Sequence, residues 1–278
     1  MHVKLLVLSW DNTLHKREIM KTKETNEWNA NKYTKHADFV SVLGLPVVEL
    51  LNPQAVEHVL DLGCGDGTLA VEIEKYGSNV IAVDLSAEMV EKAREKGVDA
   101  HVMSATQLPY VDAFDAVFSN AVLHWVNDSE EAVKNIHKIL KSSGRFVAEF
   151  GGHGNVHHIV EAMQEVFTRH PEYGVFDNPW YFPTVEEYTE ILENNGFEVK
   201  YIKRIPRPTP IDDIANWLAV FTNGVTEHLT LEEKEQFRHE VREILKEKIY
   251  SEEKVWVADY VRLRVEAVKK GILIKLKK

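Results

Sequence analysis

The sequence predicts an α/β fold built on a mostly parallel sheet. Three observations lead there. Strand and helix patterns alternate up to about residue 206. A glycine-rich turn, Gly63-Cys64-Gly65-Asp66-Gly67, follows a short apolar strand and opens a helix. A second apolar strand ends on an acid, Asp84. Such a chain winds with right-handed crossovers and binds ligands at the carboxyl ends of its strands.

The elements follow in order. Residues 26–43 have helical spacing, with Trp28, Tyr33, Ala37, Phe39 and Val40 as face positions. Asn52-Pro53 breaks the chain before the strand His58–Leu62, and the glycine turn then leads into a helix from Thr68 to Tyr76. Asn79–Asp84 is the second strand. Ser86 is the N-cap of a helix that stops at Gly97. Strands are expected at Asp99–Met103, Phe114–Ser119 and Gly144–Phe150, with a helix over 128–141. The rhythm then changes. Helices are expected over 155–170 and 184–195, then a strand Gly196–Arg204 closed by Pro206, Pro208 and Pro210. Helices over 212–223 and 230–249 precede a last long strand over 255–268. Phe237, Val241, Ile244, Leu245 and Ile249 mark one apolar face of the longer helix.

Composition narrows the function. The chain has 278 residues, 44% hydrophobic and 28% charged, with a net charge of -11. Disorder is excluded, and a sheet of this size can be buried without disulfides. The acidic balance argues against a diffuse grip on nucleic-acid phosphates as the main task, and leaves an anionic small substrate open only where Arg or Lys is local. The single cysteine, Cys64, excludes an intramolecular disulfide and a cysteine-built zinc site. It points to a reducing, cytoplasmic setting. No His or carboxylate spacing suggests a metal. No apolar run approaches the ~20 residues of a membrane span. Met1–Trp10 is interrupted by Lys4 and lacks a cleavage site, so it is not read as a signal peptide, and Met20 is an alternative start. A monomer or a homodimer is expected.

The glycine turn holds the chemistry. Glycine lets backbone approach a ligand and take positive φ. By spacing alone, Gly63-x-Gly65-x-Gly67, with Ala70 beyond, leaves a nicotinamide dinucleotide conceivable. Asp61 argues against it, because a carboxylate there repels a pyrophosphate and suits a cationic amino group. Asp84 stands where such folds hold a ribose diol. Together the two acids suggest a nucleoside carrying an ammonium group.

These residues resemble the class I S-adenosylmethionine-dependent methyltransferases. Asp61–Gly67 is similar to that family's glycine-rich motif and Asp84 to its ribose-binding acid. Ser104–Tyr110 resembles the adenine-side motif, Phe114–Val126 the fourth-strand motif, and Leu140–Phe150 the segment around strand five. Trp28-Asn29-Ala30-x-x-Tyr33, Leu123-His124-Trp125, Trp256 and Tyr260-Val261-Arg262 most resemble the trans-aconitate and malonyl-carrier-protein O-methyltransferase group. The resemblance implies a Rossmann-like fold with a seven-stranded, mostly parallel sheet, its last strand antiparallel, helices on both faces and a helical lid. Residues 1–25 would be an N-terminal extension and 26–150 the cofactor-binding core. Residues 151–278 would be lid insertions plus the last two strands of the same sheet.

The resemblance also implies S-adenosyl-L-methionine as cofactor and S-adenosyl-L-homocysteine as product. Asp61 would face the methionine amino group, Gly63 and Gly65 would admit the ligand, and Asp84 would accept the ribose hydroxyls. Leu85 and Met89 would flank the adenine, Asn120 would present its carbonyl, and Tyr33 would cover the sulfonium. Ser104 stands where many relatives have Asp, so Ala105 and Thr106 should take more of the adenine recognition. His124 and His153 are candidate catalytic residues, neither assigned. Trp180, Tyr181, Trp217 and Arg262 are substrate candidates, Arg262 as a carboxylate clamp; Phe221 and Trp256 could add to an apolar wall. The expected reaction is O-methylation of a small-molecule carboxylate. The alternatives are C- or N-methylation of a lipid, quinone or other metabolite, and cofactor binding without turnover.

Overall fold

The fold is described from a computed structural model over residues 38–271. Tyr33, Trp28 and the first part of the expected N-terminal helix lie outside the described residues, as does the tail from 272. In order, the elements are α1 (Asp38–Leu51), β1 (His58–Leu62), α2 (Thr68–Glu74), β2 (Asn79–Asp84), α3 (Ala87–Glu95), β3 (Asp99–Val102) and β4 (Phe114–Asn120). A 3-10 turn, Leu123–Trp125, leads to α4 (Ser129–Ile139), β5 (Leu140–Gly151) and α5 (His157–Arg169). The chain continues through α6 (Val185–Asn194), β6 (Phe197–Ile211), α7 (Ile214–Phe221), α8 (Asn223–Thr226) and α9 (Leu231–Ile249) to β7 (Trp256–Lys269). The Ser86 cap read from sequence acts as such: its Oγ accepts the Met89 N–H, and the structure adds Asp128, which accepts the Glu131 N–H at the start of α4.

The seven strands form one sheet in the order β3-β2-β1-β4-β5-β7-β6. β1 to β5 pair in parallel, and β7 runs antiparallel to both β5 and β6. Helices cover both faces, which explains the apolar runs Val80–Val83 in β2 and Ala116–Phe118 in β4. Leu60, Leu62, Val117, Phe146 and Ala148 meet α4 and α6 on one face. Val59, Ala82, Ala116, Phe118 and Val147 meet α1, α2 and α3 on the other.

α1 runs on past Pro46 to Leu51, beyond the boundary expected near residue 43. Gly44 lets it sit close to the sheet. A Cβ there would lie 2.6 Å from Leu69 Cδ1 and 3.0 Å from Asn120 Nδ2.

One element corrects the sequence reading. β6 does not end before its prolines; it pairs with β7 through Pro206, Pro208 and Pro210 to Ile211. The prolines fall at every second position of an edge strand. Their missing N–H groups all lie on the unpaired side, so no bond of the ladder is lost. β6 and β7 therefore overshoot the end of β5 at Gly151↔Arg262, with the pairs Pro206↔Val261 to Ile211↔Trp256 projecting beyond it. The loop after β5 continues the ladder there. Gly152 N–H donates to Val261 O, Val156 N–H to Asp259 O, and Val261 N–H to Asn155 Oδ1.

The projecting ribbon supports a separate apolar cluster. Ile159, Met163 and Phe167 of α5, Trp217 and Leu218 of α7, and Phe237, Val241 and Leu245 of α9 pack with Trp256, Ala258 and Tyr260 of β7. This helical layer stands over the carboxyl ends of the parallel strands. Among the described residues, no helix is long and apolar enough to cross a membrane, and no group of His, Cys, Asp or Glu is placed to hold a metal.

Candidate functional site

The glycine loop joins β1 to α2 and is tied to β2. Gly63 and Cys64 both donate to Val83 O, at 2.7 and 3.0 Å. Gly63, Gly65 and Gly67 all have positive φ, but for different ends. A Cβ on Gly63 would lie 2.2 Å from Val122 Cγ2, whereas a Cβ on Gly65 would meet nothing within 4 Å. Gly63 thus allows close packing against the turn after β4, and Gly65 faces open space. Asp66 anchors the loop by accepting from Thr68 Oγ1 at 2.8 Å and Lys96 Nζ at 2.6 Å.

Three acids converge on this loop. Asp61, on β1, is buried, and its Oδ2 has no hydrogen-bond partner. Burial, with Asp84 and Asp66 adding negative charge, pushes its carboxyl up to about 8. A buried carboxylate oxygen without a partner is costly unless a cation meets it. Asp84 ends β2 and accepts the N–H groups of Gly65 and Ser86, both at 2.9 Å. Burial also raises its carboxyl. Each Asp84 oxygen keeps a lone pair for a further donor. Beside it, Leu85 is 53% exposed and Val102 50%, while Met89 is buried. An apolar shelf at the ends of β2 and β3 is therefore left open by Leu85.

The loop after β3 closes this side. Ser104 Oγ and Thr106 Oγ1 lie 2.9 Å apart, and Ala105 is buried. Asn135 of α4 holds the segment, donating to Thr106 O at 2.9 Å and accepting the Leu108 N–H at 3.4 Å. Sequence reasoning missed Asn135. Its signal was a polar residue on the buried face of α4, among Ala132, Val133, Ile136 and Ile139. Cys64 is buried, and burial raises its thiol strongly, so it is not poised as a nucleophile.

A second cavity opens on the far side of the β4 turn, about 440 Å³ of space partly open to solvent. Ala121 lines it while the next residue, Val122, packs on Gly63, so the two sites share one turn. Aromatic walls come from Trp125, Trp180, Phe182, Trp217 and Phe221. Polar groups come from His124, Asn155, Tyr260 and Arg262. Ala121 and Val156, both in the lining, have φ of 60° and 44°. Such strain in non-glycine residues is costly and concentrates at functional sites.

The polar groups are held in defined states. His124 is buried, and its Nδ1 accepts the Gly151 N–H at 3.2 Å. Burial, with Arg262 nearby, keeps its imidazole well below the usual histidine range. The ring is therefore neutral with its proton on Nε2. Tyr260 oxygen accepts from Trp217 Nε1 at 2.5 Å, and the Arg262 guanidinium lies 4.6 Å from the Tyr260 ring centroid.

Of the residues expected from sequence, His124, Trp180, Trp217, Phe221 and Arg262 meet in this cavity, and Asp61, Gly63, Gly65, Asp84 and Leu85 meet at the glycine loop. Asn120 ends β4 opposite Glu149 and lies against α1. His153 is exposed on the loop after β5, away from the cavity lining. Tyr181 turns its hydroxyl to Glu187 at 2.8 Å, and Trp256 packs on Tyr250 and under Arg242. Asn155 and Phe182, which line the cavity, had no signal beyond their place after a glycine turn and among aromatics.

Comparison with known proteins agrees with this geometry. Residues 60–148 match the family described as a methyltransferase domain. A Schizosaccharomyces pombe protein named as an uncharacterized methyltransferase is 34% identical over 256 residues, spanning 87% of this chain and 98% of that one. A trans-aconitate 2-methyltransferase of Rhodococcus jostii is 31% identical, over 79% of this chain and 90% of its own length. Among solved structures, the YcgJ protein of Bacillus subtilis superposes with a TM-score of 0.56 at 20% identity, covering 82% of this chain and 97% of that one.

Proposed function

The chain belongs to the class I S-adenosylmethionine-dependent methyltransferases, and on that premise we propose that it methylates a carboxylate oxygen of a small molecule. The observation behind this reading is the second cavity: a pocket holding a guanidinium, with no carboxylate among its described lining residues, one turn away from the glycine loop.

The glycine loop suits the cofactor. Asp61 presents its unpartnered, buried oxygen to an ammonium group, and Asp84 has lone pairs left for ribose hydroxyls. The open space at Gly65 admits the ligand beside the backbone. Leu85 offers an exposed apolar surface to the adenine, and the Ala105–Thr106 backbone, held by Asn135, offers it polar groups. Three acids around this loop disfavour a pyrophosphate. When bound, the cofactor would supply a methyl group activated on a sulfonium, which an acceptor oxygen would take while the C–S electron pair stayed on sulfur.

An ionised carboxylate needs no base to accept a methyl group, since it carries its lone pairs at neutral pH. That matches the state of His124, whose Nδ1 is occupied and whose Nε2 bears a proton; it donates a hydrogen bond and accepts no proton. Arg262 orients the carboxylate with paired N–H donors. The aromatic rings give the pocket apolar walls, so the residues act by alignment and partial desolvation.

The test is methyl transfer from isotope-labelled S-adenosylmethionine to panels of small acids, amines and quinones, with products weighed by mass spectrometry. Labelled methyl esters are expected. Label on nitrogen or carbon alone overturns the carboxylate reading. Tight cofactor binding with no labelled product across all panels overturns turnover itself.

A further inference from the structure

The segment between β3 and β4, residues 103–113, has no regular structure of its own. It leaves the sheet beside Asp84, where the Met103 N–H donates to Asp84 O at 3.0 Å. A loop of this length keeps one position only if other elements hold it. Here α4 does so. Asn135 Nδ2 donates to Thr106 O at 2.9 Å and Lys138 Nζ to Leu108 O at 2.7 Å. Asp112 and Ala113 donate their N–H groups to Lys138 O and Ile139 O at 3.0 and 2.8 Å. The helix is itself fixed, with Ala132, Val133, Ile136 and Ile139 buried against the sheet.

We infer that Asn135 is a positioning residue for base selectivity: by fixing the segment at Thr106 and Leu108, it makes the protein prefer adenine to a purine whose hydrogen-bonding edge is reversed. This inference rests on the cofactor reading above and deepens it.

The first ground is that the Asn135 amide fits in one orientation. The side chain is buried. Its Nδ2 meets acceptors: Thr106 O, Glu131 O at 3.0 Å and Glu131 Oε1 at 2.9 Å. Its Oδ1 meets donors: the Leu108 N–H at 3.4 Å and Lys138 Nζ at 3.2 Å. Turned over, the amide would set donor against donor and oxygen against oxygen. A fully satisfied buried network of this kind fixes one geometry.

The second ground is what the segment has left to offer. Thr106 N–H donates to Ser104 Oγ at 3.3 Å and Gln107 N–H to Ser104 O at 3.1 Å. Leu108 N–H is taken by Asn135. Among the described residues, the Ala105 N–H takes no partner, so it is a donor available to a base. Adenine carries an acceptor nitrogen, N1, beside its amino group. Hypoxanthine carries an N–H at that place, so donor would face donor. A site built to hydrogen-bond one edge rejects the reversed one only while its groups are held still. Released from Asn135, the segment can turn to suit either base.

The experiment is calorimetry on the full chain with S-adenosylhomocysteine and S-inosylhomocysteine, which differ only at that edge. The wild type is expected to prefer the adenine ligand. Asn135→Ala should weaken S-adenosylhomocysteine by about tenfold, the worth of one or two hydrogen bonds, and S-inosylhomocysteine by less than about threefold. Val133→Ala is the control for stability. It removes core volume from the same helix without touching the segment, and should lower the melting temperature while keeping the preference. Should Asn135→Ala not fold, Lys138→Met tests the same bracket from its exposed side and should shrink the preference in the same direction by less. A preference unchanged in the folded variant, or lost equally in Val133→Ala, overturns the inference. A wild type that binds both ligands equally overturns it and leaves the cofactor reading standing; a wild type that binds neither overturns both.

Discussion

Asp61 is the residue where fold stability and ligand binding oppose each other. Its folded value of about 8 lies above that of an unfolded aspartate, ~3.9. The ligand-free fold then holds a proton that the unfolded chain releases, so this group's contribution falls as pH rises from about 4 to about 8. Asp61→Asn should therefore raise the melting temperature of the ligand-free protein, by a margin that grows between pH 5 and pH 8. Scanning fluorimetry at several pH values measures it. The same change should weaken S-adenosylhomocysteine binding, because the amide carries no charge for the ammonium. A cofactor affinity unchanged in Asp61→Asn would remove Asp61 from the site. The glycines give a matched pair. Gly63→Ala drives a Cβ to 2.2 Å from Val122 and should cost about 2–4 kcal/mol, within the range of severe overpacking. Gly65→Ala meets open space and should cost about 1–2 kcal/mol for its φ of 54°, yet block the ligand. Chemical denaturation and calorimetry separate the two.

At the scale of elements, β6 shows how prolines can protect an edge. With their N–H-less sides turned outward at Pro206, Pro208 and Pro210, they leave that edge few donors for another chain. Pro208→Ala should change stability by about 1 kcal/mol or less while raising the tendency to self-associate. Thr209→Pro, one position away, removes a donor from the ladder and should cost about 2–3 kcal/mol. Similar losses for the two variants in urea unfolding would contradict the register. Within the lid, His170 ties the end of α5 to α9. Its Nδ1 meets Glu172 at 2.8 Å and its Nε2 meets Glu240 at 2.9 Å. The hydrogen bond that its ring donates to Glu172, then the charge of Glu240, raise its imidazole above the usual value. This clasp is complete below the ordinary histidine pKa, ~6.5, and weakens as pH rises through the raised folded value. His170→Gln should flatten the pH dependence of stability between pH 6 and 8, with little change in cofactor affinity; a wild-type-like profile would show that the clasp contributes nothing.

At the scale of the whole molecule, the glycine-loop cleft and the second cavity are built from one sheet end and joined by the turn Ala121-Val122. Ligand that binds only the folded chain must stabilise it. S-adenosylhomocysteine at a hundredfold its Kd should add about 2.7 kcal/mol. For a domain of this size that is a rise of about 5–10 °C in melting temperature. No rise would mean that the cleft does not take the cofactor.

The glycine-loop half of the candidate site was legible because its logic is local. A strand, a glycine turn and a helix follow one another directly from His58 to Glu74, and Asp61 stands next to last in β1 while Asp84 ends β2, both in strands of clear apolar pattern. The second cavity was legible only in part. Trp180, Trp217 and Arg262 were visible as residue types, yet nothing in their spacing told them from Tyr181 or Trp256, which face elsewhere. Their sorting depends on the β6–β7 ribbon projecting past β5, and the prolines that permit that ribbon read, in sequence, as its end. The sequence by itself determined the parallel sheet, the loop and its two acids, because periodicity and turn chemistry are short-range. Only the tertiary structure decided the state of His124 and the company of Arg262. Both are set by residues far apart in the chain: the parallel pairing of β4 and β5 brings Gly151 to His124, and the antiparallel pairing of β5 and β7 sets Arg262 opposite Gly151.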